Sequence, residues 1–208
     1  MKRILETPIS FEDIKDLKVG DLVYLNGYLV TARDDVHHRV VREERSCPYD
    51  FKDMALIHAG PIVREEPDKN TLISIGPTSS IRMEADEAEF IEKTGVRLII
   101  GKGGMGLATS MACKRFGAIH CVFPGGCAVL AATHIEKIET VYWRELGMPE
   151  ALWVLKVKEF GPLIVSIDSH GNNMFVENKE YYANRREECE EPAIKLVEHY
   201  MDVTEGCK

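Results

Sequence analysis

From Val96 to Phe123 the chain reads VRLIIGKGGMGLATSMACKRFGAIHCVF. An apolar run, a glycine-rich turn, a helix-forming stretch closed by Gly117 and a second apolar run follow one another without a break. A strand, a helix and a strand in that order demand a layered α/β arrangement, because each element must bury one face against another. Gly101-Lys102-Gly103-Gly104-Met105-Gly106 also fits G-x-G-x-x-G between a strand and a helix, the setting of a dinucleotide fingerprint. That fingerprint needs an acidic residue about 20 positions further on to hold a ribose. No Asp or Glu occurs between Glu92 and Glu136. A Walker loop is excluded too, since Gly103 follows Lys102 where Ser or Thr belongs. The weaker reading is a small-anion site of backbone N–H groups at a helix start beside Lys102. Its plain alternative is a tight turn with a solvated lysine.

The flanking segments widen the picture. Leu22–Leu25 and Tyr28–Thr31 surround Asn26-Gly27, a strong hairpin signal. Ala55–Ala59 and Leu72–Ile75 read as strands, and Glu84 to Thr94 as a helix capped by Gly95. Val96–Ile100 and Ala118–Phe123 are buried strands around a helix from Leu107 to Phe116. Pro124-Gly125-Gly126 opens a further short helix. Later strands are expected at Thr140–Trp143, Leu152–Phe160 and Leu163–Ile167. From about Glu177 the chain is charged and helical, with Pro192 as a break. At 208 residues this suits a single domain holding one partly antiparallel sheet.

Composition narrows the function classes. Apolar residues make up 45% and charged residues 29%, as in ordinary globular chains. The net charge of −8 argues against nonspecific binding to nucleic acid or anionic membranes. No apolar stretch reaches the roughly 18 residues of a membrane span, and the N-terminus lacks a secretory core, so a cytoplasmic protein is expected. The six cysteines, at 47, 113, 121, 127, 189 and 207, form no C-x-x-C and fit no common ferredoxin spacing. They are expected as reduced thiols.

Three further clusters bear chemistry. The window between positions 93 and 135 carries only cations: Lys93, Arg97, Lys102, Lys114 and Arg115. Lys102, on its glycine turn, is the one most suited to meet an anionic ligand. Thr78-Ser79-Ser80-Ile81-Arg82 follows a strand, and arginine can grip a carboxylate with two parallel bonds. A turn capping the next helix would use the same hydroxyls. Arg33, Asp34, His37, His38 and Arg39 crowd the segment after the first strands. Arg33 and Arg39 suit anions and Asp34 suits orienting Arg33, although solvated first turns of a helix look alike. Neighbouring His37 and His38 point to different helix faces, so a metal shared between them, with His58 or Cys47, is not expected.

Seven ordered runs carry a resemblance: TARDDVHHR, ALIHAGPIVR, SIGPTSSIRM, IIGKGGMG, FPGGCAVLAAT, ELGMPEALWV and FGPLIVSIDSHGN. Together they span about Thr7 to Lys179. The chain resembles the β subunit of iron–sulfur-dependent hydro-lyases, the class I fumarases and L(+)-tartrate dehydratases, and its last runs look closer to the tartrate enzymes. The resemblance implies a swivelling β/β/α domain with sheet, sheet and helix layers. It implies a cluster-bearing α subunit as partner, whose cysteines rather than this chain's hold a [4Fe–4S] cluster, and an α2β2 assembly. It implies loss of water from a hydroxy-dicarboxylate, with an iron as Lewis acid on the leaving hydroxyl. Tartrate is favoured over malate or fumarate. A noncatalytic anion- or nucleotide-binding module is the reading from a different class. By position in the motifs, Thr78 would be the base, Arg33, Arg82 and Lys102 the substrate-binding cations, and Asp34 and His37 supports of Arg33. Ser79 and Ile81 stand where the family often has Thr and Met.

Overall fold

A computed structural model describes residues 3–67, 69–186, 188, 190 and 192–196. Two compact units divide the chain, Met1–Met174 and Phe175–Lys208. The first is a mixed α/β body. Its strands are β1 (Arg3–Glu6), β2 (Leu22–Thr31), β3 (Ala55–Ile57), β4 (Ala59–Glu66), β5 (Lys69–Pro77), β6 (Leu98–Gly101), β7 (Ile119–Val122), β8 (Ile135–Tyr142) and β9 (Leu152–Ile167). Its helices are α1 (Phe11–Ile14), α2 (Asp34–Val41), α3 (Glu84–Thr94), α4 (Leu107–Phe116) and α5 (Ala128–Ala132), with 3₁₀ turns at Ser80–Met83 and Arg144–Leu146.

Among the described residues the main sheet has seven strands in the order β1-β2-β3-β6-β7-β9-β8, and β2 also pairs with β9. The extra pairing closes β2, β3, β6, β7 and β9 into a ring. Within it β2, β3, β6 and β7 run parallel, and β9 runs antiparallel to its neighbours. β4 and β5 form a separate antiparallel ribbon. Alternating residues feed two cores, as the period-two pleat requires. Ala55 and Ile57 of β3, with Leu98 and Ile100 of β6, face a core shared with β9 and the ribbon. Leu56 and Ile99 face the other core, where Val36, Val40, Phe90, Ile91 and Cys113 cover the sheet from α2, α3 and α4.

The helix limits follow the sequence signals. Gly95 and Gly117 end α3 and α4 in the left-handed conformation, with φ of +67° and +70°. The hairpin at Asn26-Gly27 does not form. β2 passes straight through it as one ten-residue strand. Gly27 has φ +93° and the pairing with β9 shifts register there. A Cβ on Gly27 would lie 2.4 Å from Thr7 Oγ1, the atom that accepts a hydrogen bond from Tyr28 N at 2.5 Å. The glycine thus serves a bulge at which β2 exchanges β1 for β3 as its neighbour. The two strands expected around Gly161 are likewise one, β9, bent where Glu159 and Gly161 have φ of +48° and +153°.

The second unit holds most of α6 (Met174–Asn184), and residues 192–196 are also helical. Its charges pair locally, as Arg185 Nε does with Glu188 at 2.9 Å. The break expected at Pro192 borders residue 191, outside the described residues. Among the described residues no helix is long and apolar enough to cross a membrane.

Candidate active site

Parallel strands present their carboxyl ends together, and α/β folds, open or closed, bind ligands at that end. Here β2, β3, β6 and β7 deliver to one edge Arg33, His58, Lys102 and the Pro124-Gly125-Gly126 turn, each beginning one to two residues beyond its strand. The ribbon strand β5 delivers Thr78 beside them. Thr78 N donates to His58 O at 2.6 Å, Lys102 N to Thr78 O at 3.1 Å, and Ser80 N to Lys102 O at 3.0 Å. These bonds stitch the Thr78–Ser80 segment onto the end of β6.

The cations are arranged by carboxylates. Arg33 is the N-cap of α2, and its Nη2 lies 2.9 Å from Glu150 Oε1. Its guanidinium passes over Gly60, where a Cβ would sit 2.7 Å from Nη1. Arg33 Nε is buried without a hydrogen-bond partner among the described residues. Asp34 Oδ2 accepts from Arg82 Nη2 at 2.8 Å and stands 3.9 Å from Arg33 Nη2. Burial pushes the Glu150 carboxyl above its ordinary range, although the Asp35 N–H and Arg33 pull the other way.

Lys102 is exposed, and among the described residues its ammonium has no ion-pair partner. Its methylenes cross the second turn, where a Cβ on Gly125 would come within 3.1 Å of Lys102 Cδ. Thr78 is half-buried, and its hydroxyl has no hydrogen-bond partner among the described residues. The other cations of the acid-free window have duties elsewhere. Lys93 pairs with Glu89 at 2.8 Å, Arg97 pairs with Asp53, and Lys114 and Arg115 occupy the last turn of α4. Arg39 is paired with Glu145.

The small-anion reading of the glycine turn is corrected. Glu84 already supplies the anion at the start of α4: its Oε2 accepts from Gly106 N at 2.6 Å and from Thr109 Oγ1 at 2.7 Å. A carboxylate from the preceding helix thus occupies the helix start that an anionic ligand would take.

Behind the edge lies a buried polar row that the sequence did not announce. His37 Nε2 meets Glu87 Oε2 at 3.1 Å, and His58 Nε2 stands 3.0 Å from the same oxygen without hydrogen-bond alignment. His58 Nδ1 meets Ser80 Oγ at 3.0 Å, His120 Nε2 meets it at 3.1 Å, and His120 Nδ1 meets Ser166 Oγ at 2.6 Å. All six side chains are buried. Burial resists a charge on His37, but Glu87 outweighs it and raises the pKa. Burial prevails at His58, lowering it, and at His120, pulling it down to about 3. Burial also opposes ionisation of Glu87, yet the two imidazoles hold it well below the usual carboxylate range. Gly101 makes room for the row, since a Cβ there would fall 1.7 Å from Ser80 Oγ. His38 is exposed, so the adjacent histidines do point apart.

The described cysteines do not suit an iron–sulfur cluster. Cys47, Cys113, Cys121 and Cys127 are free thiols. Cys121 belongs to the core inside the ring and Cys113 to the core under the helices, on opposite faces of the sheet. Burial raises both thiol pKa values, opposite to what a thiolate ligand needs. Cys189 and Cys207 lie outside the described residues.

The chain is similar to known proteins over nearly its whole length. Residues 2–178 match the family model described as Fumarase C-terminus. The L(+)-tartrate dehydratase subunit beta of Escherichia coli K12 is 57% identical over 201 residues, covering 97% of this chain and all of that protein. A putative L(+)-tartrate dehydratase subunit beta of Methanocaldococcus jannaschii is 44% identical over 184 residues, 86% of this chain and 94% of that one. A putative class I fumarate hydratase of Geobacillus stearothermophilus is 36% identical over 191 residues, 91% of this chain but 37% of that longer protein. The chain, with its arginines and lysine gathered at the strand ends, belongs to the fumarase C-terminal domain family.

Proposed function

We propose that the chain is the β subunit of an iron–sulfur hydro-lyase that converts L(+)-tartrate to oxaloacetate by loss of water. One observation carries the site: Arg33 and Arg82 are joined through Asp34, while Arg33 Nε, the Lys102 ammonium and the Thr78 hydroxyl are unpaired among the described residues. A dicarboxylate needs two cationic grips to fix its reacting carbon, and such fixing is worth several kcal/mol, on the order of 7–11 at best. Arg33 and Arg82 supply the grips, Lys102 adds positive charge, and Asp34 and His37 support Arg33.

Thr78 takes the proton from the carbon next to the leaving hydroxyl in this reading. A threonine alkoxide is strongly disfavoured in water, so Lys102 and the arginines must stabilise the negative charge as it forms. The cluster is assigned to the α subunit, because the described cysteines here are scattered, with Cys113 and Cys121 in separate cores. An α2β2 assembly in the cytoplasm, with a swivelling β/β/α fold, completes the reading. Tartrate is preferred because full-length relatives at 57% and 44% identity carry that name. The fumarase reading rests on a 36% relative of which the chain spans about a third.

The experiment is anaerobic purification of the tagged chain from its own cells, with L-tartrate and L-malate dehydration assayed side by side. Copurification of a larger iron–sulfur chain, with tartrate turned over faster, is the expected result. Faster malate turnover would make it a fumarase. Absence of partner, iron and dehydration would favour a binding module.

A further inference from the structure

The buried row behind the site can be read proton by proton. Ser166 Oγ donates to the His120 carbonyl at 3.1 Å, so it must accept from His120 Nδ1–H. His120 Nε2 is then a bare lone pair that accepts the Ser80 hydroxyl proton. Ser80 Oγ, its own proton spent, accepts from His58 Nδ1–H. His58 Nε2 stands 3.0 Å from Glu87 Oε2 but is not aligned with it for a hydrogen bond, so His37 is the imidazole that donates to this carboxylate.

His37 is wired in the opposite sense. Its Nδ1 lies 2.8 Å from the Arg33 carbonyl and its Nε2 lies 3.1 Å from a Glu87 carboxylate oxygen. Both partners only accept, so both ring nitrogens must carry protons. An isolated buried carboxylate is costly and removal of its partner leaves it uncompensated. One imidazolium balances one carboxylate, and His37 is the ring aligned to supply it, since burial keeps His58 from charging. Of the groups around the pair, Asp34 and Asp86 are engaged by Arg82 and Arg42, while Cys113 and His120 are uncharged.

We infer that Glu87 is a positioning residue for the substrate-binding edge: it keeps His37 an imidazolium, and that imidazolium clamps the Arg33 carbonyl at the start of α2. The Arg33 carbonyl also accepts from His37 N at 3.1 Å, so the first turn of α2 closes on the same atom. His37 is further fixed by stacking on Phe90 at 4.3 Å between centroids. Glu87 thus sets where the Arg33 guanidinium begins without touching it. The inference rests on Arg33 belonging to the substrate site.

The same three side chains could surround a divalent cation, since their ligand atoms lie within 4.8 Å of one another. That would require a bare His37 Nε2, whereas the 3.1 Å contact has hydrogen-bond length. The experiment has two arms. In the full-length chain, ¹⁵N-detected NMR of the histidine rings at pH 7 should show His37 protonated at both nitrogens, with metal analysis finding no stoichiometric zinc. Glu87→Gln should leave His37 with one proton.

In the assembled enzyme, Glu87→Gln should lower kcat/KM about 10- to 100-fold. Activity should partly recover only in acid, as His37 regains its charge against the burial that resists it, and Glu87→Asp should recover more at neutral pH. A singly protonated His37 in the unaltered chain, one zinc per chain, or a Glu87→Gln enzyme with unchanged kinetics and pH profile would each overturn the inference. Arg33→Ala separates the two readings. If that enzyme is impaired and Glu87→Gln is not, positioning by Glu87 fails; if Arg33→Ala is fully active, the site assignment itself fails.

Discussion

Asp34 Oδ2 accepts a hydrogen bond from Arg82 Nη2 at 2.8 Å across 48 residues of sequence. The contact joins the first turn of α2 to the 3₁₀ turn after Thr78 and leaves the Arg82 side chain half exposed. An exposed pair of this kind adds about 0–1 kcal/mol to stability. In the proposed site it holds a guanidinium ready for a substrate carboxylate.

Arg82→Ala should therefore abolish turnover in the complex, by at least about 100-fold, while the chain unfolds at nearly the same denaturant concentration. Steady-state kinetics beside a urea titration checks both halves. An active Arg82→Ala complex would remove Arg82 from the site.

Thr78→Ala separates base from binder. Loss of the base should cut kcat by about 100-fold or more with KM nearly unchanged. Thr78→Ser, which keeps the hydroxyl, should retain most activity. A change confined to KM would make Thr78 a positioning group.

The helices and their caps were legible because each rests on local signals: Gly95 and Gly117 end α3 and α4 where the left-handed cap requires them. Asn26-Gly27 misled because a positive φ serves a bulge as well as a turn. Only the distant Thr7 decides between them. Arg33, Thr78, Arg82 and Lys102 were legible as members of motifs, and the folded chain gathers them at one strand edge. Glu150 was invisible, being a lone acid 117 residues from the arginine it meets. Glu84 was hidden for a similar reason. The glycine turn looked open to an anion because the carboxylate that fills it precedes the acid-free window. Glu87, Ser80 and His120 come from three separate elements, and nothing local marks a buried acid or serine as part of a row.

Gly101→Ala tests the packing of that row. Its Cβ would fall 1.7 Å from Ser80 Oγ and 3.1 Å from His58 Nδ1. Ser80 must swing away, leaving buried groups unpaired at a cost of about 1–3 kcal/mol each. Chemical denaturation should register a loss of that order. Unchanged stability would mean that the Ser80 hydroxyl is not held between the histidines.

Acid should weaken the fold before its carboxylates protonate. Burial holds His120 near a pKa of about 3, against about 6.5 in an unfolded chain. Between those values the unfolded chain binds a proton that the folded chain refuses. Stability then falls by about 1.4 kcal/mol for each pH unit below 6.5. His58, also lowered by burial, acts in the same direction. His37 acts oppositely: its raised pKa gives a contribution complete below about 6.5 and lost only as pH rises through the folded value. Glu87, held low, gives a contribution that persists in mild acid and is lost only as pH falls through its folded value. Unfolding free energies of the full chain at pH 7, 6 and 5 should show the decline. His120→Gln should remove about 1.4 kcal/mol per pH unit from its slope. An unchanged slope in His120→Gln would show that His120 carries its proton in the folded chain.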